Sequence, residues 1–233
     1  MTDKAEKKPS YFFAIPAYDF KLYVPCVQSL LLAMKILLEG GHESQMAFEV
    51  GMPYVSMARN NLISKFMLTD FTDLIFVDAD LGVPVDAFKA LMDSPEEVVA
   101  GVYPKKQHEE VYPVLVQTDE QKHPINENGL LLAEGLPTGF MKIKRSALMK
   151  LSGAYPELAY IDQLTGRVTY NFFGTYVDKG RWYGDDYGFC KLWRDIGGKC
   201  FILPNITFLH CGQRNYEGNF WNYMQRKSKE AQK

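Results

Sequence analysis

The residues with the clearest chemical potential are Asp78 and Asp80, which directly follow the apolar run 74–77. Four apolar residues in a row predict a buried strand, and a strand points residues i and i+2 to the same side. Both carboxylates are therefore expected in a crevice at the carboxyl end of a sheet, where open α/β sheets bind ligands. Paired carboxylates suit Mg²⁺ or Mn²⁺, which can share oxygen ligands with phosphate. The pattern predicts a metal–nucleotide site; the alternative is a helix cap, because Pro84 and Asp86 follow closely.

Length and composition limit what such a site can belong to. The chain has 233 residues, of which 47% are hydrophobic and 14% aromatic, a globular composition at a length typical of one large domain. The net charge of −2 gives no polyanion-binding signature. The longest apolar run, 30–38, is broken by Lys35 and is shorter than the roughly 20 residues that span a bilayer. Together with a charged N-terminus unlike a signal peptide, this predicts a soluble, cytoplasmic protein without a transmembrane segment.

The four cysteines show no C-x-x-C spacing, so a disulfide framework or a structural zinc site is not expected. Buried free thiols are the favoured interpretation of Cys26, Cys190, Cys200 and Cys211. A mixed site of Cys190, Cys200, His210 and Cys211 stays open as the alternative.

Strands and helices are expected to alternate over the first hundred residues. The periodicity predicts strands at 11–17, 45–50, 74–77 and 98–102, and helices at 24–39, 56–68 and 85–92. Such alternation favours a mainly parallel sheet covered by helices on both faces, an α/β, Rossmann-like arrangement.

The pattern changes after residue 105. Short strands are predicted at 111–117, 130–133, 139–143, 200–203 and 206–209, with helices at 145–151 and 185–196 and a loop or hairpin at 155–183. We interpret 11–212 as one catalytic domain, with a nucleotide-binding half at 11–105 and a smaller, mixed acceptor half at 106–212. Residues 1–10 form a charged, disordered leader in this interpretation, and 213–233 form an aromatic and basic tail.

Three motifs occur in an order that resembles the family 2-like glycosyltransferases of the GT-A fold. The motifs are Ala58-Arg59-Asn60 at the start of a helix, Asp78-Ala79-Asp80 at the end of a strand, and Asp185-Asp186-Tyr187-Gly188-Phe189 at the start of a later helix. The first strand ends in Pro16, followed by Tyr18, as in the strand that leads to the nucleotide base in that family. The resemblance covers roughly residues 11–212.

The resemblance implies a role for each matched residue. Asp80 would ligate Mn²⁺ or Mg²⁺, Asp78 would contact the ribose or the metal, and the metal would stabilise the departing nucleoside diphosphate. Arg59 would contact the nucleotide; the alternative is a buried salt bridge to Asp78, and both can hold. His210 matches a C-terminal histidine that several GT-A enzymes place on the metal, although a histidine that simply ends a strand is the alternative.

The resemblance also implies an acid–base role for the carboxylates at 185–186. Asp186 would act as the general base on the acceptor hydroxyl, which gives inversion at the anomeric carbon. Asp185 would then stabilise the start of the helix, although the family usually has Glu at this position and the choice between the two stays open. A retaining variant of the fold also exists.

Three further residues are candidates for ligand binding. Gly139 resembles the loop beneath the donor sugar, with an ordinary turn as the alternative. Lys105 lies beside Lys106 at the end of a strand and could meet phosphate, although a solvated pair is the simpler interpretation. Trp182 could stack on a sugar ring, and a core position is equally compatible with the sequence.

The sequence therefore predicts a metal-dependent, inverting glycosyltransferase that uses a nucleoside diphosphate sugar, with a UDP-sugar favoured. The acceptor hydroxyl is left open, and a nucleobase is among the candidates. A nucleotidylyltransferase is the first alternative, but the segment 17–21 has no glycine for the phosphate-binding loop such enzymes carry. A non-catalytic module that binds nucleotide sugars is the second.

Overall fold

The computed structural model describes residues 8–163 and 165–231. Its α-helices are α1 Val24–Glu39, α2 Val55–Met67, α3 Val85–Asp93, α4 Arg145–Ala154, α5 Asp185–Asp195 and α6 Phe220–Ala231. Its strands are β1 Tyr11–Ala17, β2 Ser44–Val50, β3 Asp73–Val77, β4 Leu81–Gly82, β5 Val98–Gly101, β6 Leu115–Val116, β7 Asn126–Glu127, β8 Leu130–Gly135, β9 Phe140–Lys144, β10 Ala159–Ile161, β11 Val168–Tyr170, β12 Tyr176–Asp178, β13 Arg181–Tyr183, β14 Cys200–Leu203, β15 Thr207–Cys211 and β16 Asn215–Asn219.

A nine-stranded sheet forms the centre, in the order β2-β1-β3-β9-β5-β14-β8-β6, with β7 also paired to β8. The strands β2, β1 and β3 are parallel, β5 and β14 are parallel, and β9 runs antiparallel between β3 and β5. Most strands thus point one way, and the carboxyl ends of β1, β3 and β5 lie at one edge. The predicted α/β class with a mainly parallel sheet is confirmed.

The central strands alternate their side chains between two cores, as an apolar strand buried on both faces must. Phe12 and Phe76 pack on the side of α2, α4 and α5, while Phe13, Ile75 and Val77 pack on the side of α1 and α3. All five residues of β3 are buried. The loop at its carboxyl end therefore follows a fully buried strand.

The segments after residue 105 differ from the prediction in detail. The strand expected at 111–117 is reduced to β6, because Pro113 lacks the N–H that a ladder needs and the register shifts at Leu115. The segment 155–183 folds as two hairpins, β10–β11 and β12–β13, and the second turns at Lys179 and Gly180, both with positive φ.

Both predicted chain ends are partly incorporated in the fold. Residues 1–7 of the expected leader lie outside the described residues, but Ser10 is buried and its backbone N–H donates to Thr72 Oγ1. The expected tail forms β16, which pairs with β15, and α6, whose Phe220 is buried against Tyr112. In the described part of the chain, every helix is too short or too polar to cross a bilayer.

Candidate active site

Asp78 and Asp80 lie where the sequence predicts, but for a different local reason. The strand β3 already ends at Val77, so both residues lie in the turn before β4 and strand alternation does not orient them. The backbone N–H of Asp78 donates to Gly139 O at 2.8 Å, and the N–H of Cys211 donates to Asp80 O at 2.8 Å. These long-range bonds hold the turn at the carboxyl edge of the sheet.

A cavity of about 400 Å³ opens at this edge, above the ends of β1 and β3. Both carboxylates line it, together with the predicted nucleotide-contacting residues Pro16 and Tyr18. Its remaining lining comes from the end of β1 and the loop after it, from the segment before α2, from the first turns of α2 and from the residue between the two carboxylates: Ala17, Asp19, Lys21, Tyr23, Met52, Pro53, Val55, Ala58 and Ala79. The location is that of a ligand site in an open α/β sheet.

Arg59 connects the three motifs that lie far apart in the sequence. Its Nη1 donates to Asp185 Oδ2 at 2.6 Å and to Asp186 Oδ1, and its Nη2 lies 3.6 Å from Asp78 Oδ1. Only 5% of Arg59 is exposed, and its guanidinium lies 5.8 Å from the centroid of the Phe173 ring. The salt bridge to Asp78 considered from the sequence is present, and two further carboxylates share the same guanidinium.

Burial and charge shift the acidities in this cluster. Burial raises the pKa of Asp78 above its ordinary value, and the Arg59 charge opposes that shift. Burial and the neighbouring charge of Asp186 raise the pKa of Asp185, again opposed by Arg59. Burial lowers the pKa of Arg59, but its carboxylate partners raise this pKa by more than burial lowers it. The guanidinium therefore stays charged. One permanent cation thus compensates a site with an excess of acids.

Thr138 and Tyr103 support the carboxylates, and neither was predicted as a site residue. The fully buried Thr138 donates from Oγ1 to Asp186 Oδ1 at 2.6 Å. The Tyr103 hydroxyl accepts from the N–H of Gly139 at 3.0 Å and lies 3.5 Å from Asp78 Oδ2. The position of Thr138 beside Gly139 in the segment 136–140 was the available signal; the role of Tyr103 follows from tertiary packing alone.

Gly139 lies beneath Asp78 where no larger residue fits. A Cβ at this position would lie 2.3 Å from Tyr103 Oη and 2.5 Å from Asp78 Oδ2. The first residue of β9 pairs with the last residue of β3, Phe140 with Val77, which brings this loop against the acidic turn. The glycine therefore allows the close approach that the site requires.

His210 and Asp80 face each other across the end of β15. His210 Nε2 lies 3.5 Å from Asp80 Oδ1, and its Nδ1 lies 2.8 Å from Pro104 O. A carbonyl only accepts, so Nδ1 carries a proton and Nε2 is the ring nitrogen that faces Asp80. Lys106 Nζ bonds Asp80 Oδ2. Burial would raise the pKa of Asp80, but hydrogen bonds from His210 and Lys106 hold it below its ordinary value.

The donor atoms fit a divalent cation held by two protein ligands. Without a proton on Nε2, His210 and the Asp80 carboxylate are electron-pair donors that face each other, as two ligands of a divalent cation do. Asp78 is instead held by Arg59 and Tyr103. Across residues 8–163 and 165–231, no three His, Cys, Asp or Glu side chains form a complete metal-binding group. A cation here would complete its shell with water and phosphate oxygens, as Mg²⁺ and Mn²⁺ commonly do.

Two other predicted residues lie outside this core of contacts. Lys105 is exposed, and it is Lys106 that reaches Asp80. Trp182 is 67% exposed in β13, so the core position considered for it is wrong. Its ring lies about 3.3 Å from where a Cβ on Gly184 would be, so the indole covers the residue that precedes α5.

The cysteines are free and buried, in agreement with the favoured interpretation. Cys190 accepts a hydrogen bond from the Leu136 N–H, and Cys26 Sγ lies 3.5 Å from the backbone oxygen of Asp78. His210 is engaged with Asp80 and Pro104 rather than with thiols.

Comparisons with known proteins give likeness of structure only. No protein-family model and no curated protein matches the chain. Among solved structures, it is similar to the catalytic domain of Drosophila β1,4-galactosyltransferase 7 in complex with xylobiose, with TM-score 0.48 and 14% identity over 94% of this chain and 74% of that one.

Two further structures show a weaker likeness. A glycosyltransferase involved in glycosylation of the PBCV-1 major capsid gives TM-score 0.33 and 12% identity over 63% of this chain and 67% of that one. The inositol-1-phosphate CTP transferase of T. maritima gives TM-score 0.44 and 11% identity over 87% of this chain and 89% of that one. All three TM-scores lie below 0.5, so we argue the fold from the sheet topology and the chemistry from the site itself.

Proposed function

We propose that this protein is a metal-dependent glycosyltransferase that moves a sugar from a nucleoside diphosphate sugar to a hydroxyl acceptor. The observation that carries the proposal is the convergence on one sheet edge of the Arg59–Asp78–Asp185–Asp186 cluster and the Asp80–His210 pair. This edge opens into the cavity of about 400 Å³. Enzymes that transfer glycosyl groups need acidic residues in distinct roles, and this cluster provides them in distinct environments.

The nucleotide is assigned to the cavity above β1 and β3. Tyr18 and Tyr23 line it with aromatic surface, and Lys21 adds a positive charge. An aromatic ring can stack on a nucleobase, and Asp78, which also lines the cavity, would accept from a ribose hydroxyl. The resemblance of the motifs favours UDP-sugars as the first donors to test.

Asp80 and His210 are the residues that would hold the metal. When bound there, Mn²⁺ or Mg²⁺ would act as a Lewis acid on the departing diphosphate. Asp80 is the carboxylate that faces His210 Nε2, at 3.5 Å. His210 is oriented by Pro104 O so that Nε2, rather than Nδ1, faces the site.

Asp186 is assigned as the general base. Its described hydrogen bonds, from Thr138 and Arg59, fall on Oδ1, so Oδ2 is the oxygen available to accept the proton of the acceptor hydroxyl. As the proton moves to Oδ2, the hydroxyl oxygen bonds to the anomeric carbon. The bond from that carbon to the diphosphate oxygen breaks, and its electron pair leaves with the diphosphate. A single displacement of this kind inverts the anomeric configuration.

Hydrolysis of UDP-sugars tests the proposal without knowledge of the acceptor. Release of UDP from a panel of UDP-sugars is measured with Mn²⁺ and with EDTA, for the wild type, Asp80→Ala and the control Asp119→Ala in the turn between β6 and β7. We expect turnover of at least one donor that EDTA and Asp80→Ala abolish and that the control retains. Turnover unaffected by EDTA would contradict metal dependence, and a donor cleaved to nucleoside monophosphate would point to nucleotidyl transfer.

A further inference from the structure

Lys106 neutralises Asp80, the carboxylate that we assign to the metal. Its Nζ bonds Asp80 Oδ2, while His210 Nε2 faces Oδ1 of the same carboxylate. One third of the Lys106 side chain is exposed, so the ammonium can leave this position without disturbing the core. The carboxylate is therefore neutralised by a group of the chain itself.

The path of the Lys106 side chain is specific. Its Nζ lies 6.0 Å from the centroid of the Tyr23 ring, and its Cδ lies 3.0 Å from where a Cβ on Gly212 would be. The residue at 212 must therefore be small for the lysine to reach Asp80. The adjacent Lys105 is exposed and binds the fold through its backbone N–H, which donates to Val111 O. Of the two neighbouring lysines, only Lys106 reaches this carboxylate.

We propose that Lys106 is an internal counter-ion of Asp80 that a divalent cation must displace, and that the displaced ammonium then contacts the diphosphate of the donor. The inference rests on the proposed function, because it assumes that Asp80 holds the metal. A divalent cation on Asp80 Oδ1 would repel the ammonium on Oδ2, so metal entry favours the departure of Lys106. An anionic diphosphate beside the site favours the displaced ammonium by a charge-assisted hydrogen bond.

This arrangement couples metal and nucleotide. A nucleoside diphosphate stabilises the state in which Lys106 has left Asp80, and that is the state that binds the metal. By linkage each ligand then raises the affinity of the other by the same factor. Lys106 would thereby weaken metal binding in the absence of nucleotide. In the presence of nucleotide, its contact with the diphosphate would strengthen metal binding.

The test is a titration of the full chain with Mn²⁺ alone and with Mn²⁺ in the presence of UDP, followed by calorimetry. Wild type is compared with Lys106→Met, Lys106→Arg and the neighbouring control Lys105→Met. We expect Lys106→Met to bind Mn²⁺ alone about 5-fold or more tightly than wild type, and to show a smaller gain in Mn²⁺ affinity on addition of UDP. Lys106→Arg keeps the charge and Lys105→Met keeps Lys106, so both should behave as wild type.

The alternative outcomes separate this inference from the proposed function. Equal or weaker binding of Mn²⁺ alone by Lys106→Met, with measurable binding by the wild type, overturns the role of Lys106 and leaves the metal site intact. Absence of Mn²⁺ binding in both proteins, with or without UDP, overturns the inference together with metal dependence. Binding of Mn²⁺ alone only by Lys106→Met supports the inference in its strongest form.

Discussion

Arg59 Nη1 lies 2.6 Å from Asp185 Oδ2, although 126 residues separate them in the chain. The same guanidinium reaches Asp186 and Asp78, so a single buried residue of α2 joins the start of α5 to the end of β3. The segments 11–105 and 106–212 are thus connected through a charge network rather than by apolar packing alone.

Removal of the Arg59 charge should strongly destabilise the protein. In Arg59→Met, buried carboxylates lose their partner, which typically costs about 3–5 kcal/mol of unfolding free energy. Arg59→Lys should recover only part of this, because an ammonium cannot reproduce the guanidinium fork. Urea denaturation measures both, with the exposed Arg167→Met as control. A wild-type unfolding free energy for Arg59→Met would show that the cluster contributes little.

Replacement of Asp186 should affect turnover far more than nucleotide binding. Asp186→Asn keeps the shape but cannot take a proton, so kcat should fall about 10²–10⁴-fold while the Kd for UDP changes little. NMR of the anomeric proton of the product should show inversion. A product with the anomeric configuration of the donor would rule out single displacement by Asp186.

Asp185 lies in the first turn of α5, where it is predicted to stabilise the start of the helix. Gly184 occupies the N-cap of α5 without a side-chain cap bond, and the Asp185 carboxylate also accepts from Arg59. Most of the stability that Asp185→Asn loses should come from that ion pair, so the loss should largely vanish in an Arg59→Met background. An undiminished loss in that background would assign the effect to the helix start instead.

A methyl group at Gly139 should damage the site. The new Cβ would lie 2.3 Å from Tyr103 Oη, so Gly139→Ala must shift Tyr103 or Asp78, at a cost of roughly 1–3 kcal/mol and with weaker UDP binding. Gly153→Ala is the matched control, because nothing lies within 4 Å of its added Cβ in α4. Tyr103→Phe removes the clashing hydroxyl and should partly rescue Gly139→Ala. Equal effects of the two alanine substitutions would refute the close-approach argument.

Lys142 gives the protein a pH dependence remote from the cavity. Burial in β9 lowers its pKa from 10.5 to about 8, although Asp73 attracts the charge, and its Nζ donates to Ser94 O at the end of α3. Between these two pH values the unfolded chain binds more protons than the native one, so unfolding free energy from this group rises from pH 8 to pH 10.5.

Lys142→Met should therefore stabilise the protein at pH 7 by up to about 3 kcal/mol, and the gain should fade as the pH approaches that of the unfolded lysine. Thermal unfolding as a function of pH measures this, with the exposed Lys89→Met as control. A gain that is independent of pH would mean that packing, rather than the charge, is responsible.

Local sequence patterns were sufficient to predict the helices and the longer strands of the first hundred residues. The bounds of β1 and α1 agree with the prediction, because an apolar run, Pro25 in the first turn and the Gly40-Gly41 stop each act locally. The convergence of Arg59, Asp78 and the 185–186 pair also follows the order of the motifs. These features depend on short-range signals or on the shared edge of a parallel sheet.

The supporting contacts could not be predicted in this way. Tyr103, Thr138 and Lys106 act because β9 inserts between β3 and β5 and because β15 carries His210 to Asp80. Such pairings join residues far apart in the chain and leave no local period.

The affinity for UDP with and without Mn²⁺ tests the central claim most directly. Calorimetry on wild type, Asp80→Ala and His210→Ala should show UDP binding that Mn²⁺ strengthens in the wild type. Both variants should lose most of the gain in UDP affinity that Mn²⁺ gives the wild type. For His210→Ala, the affinity for Mn²⁺ itself should fall by about 10–100-fold. UDP affinity that is the same with Mn²⁺ and with EDTA, or that both variants retain in full, would contradict a metal-assisted nucleotide-sugar site.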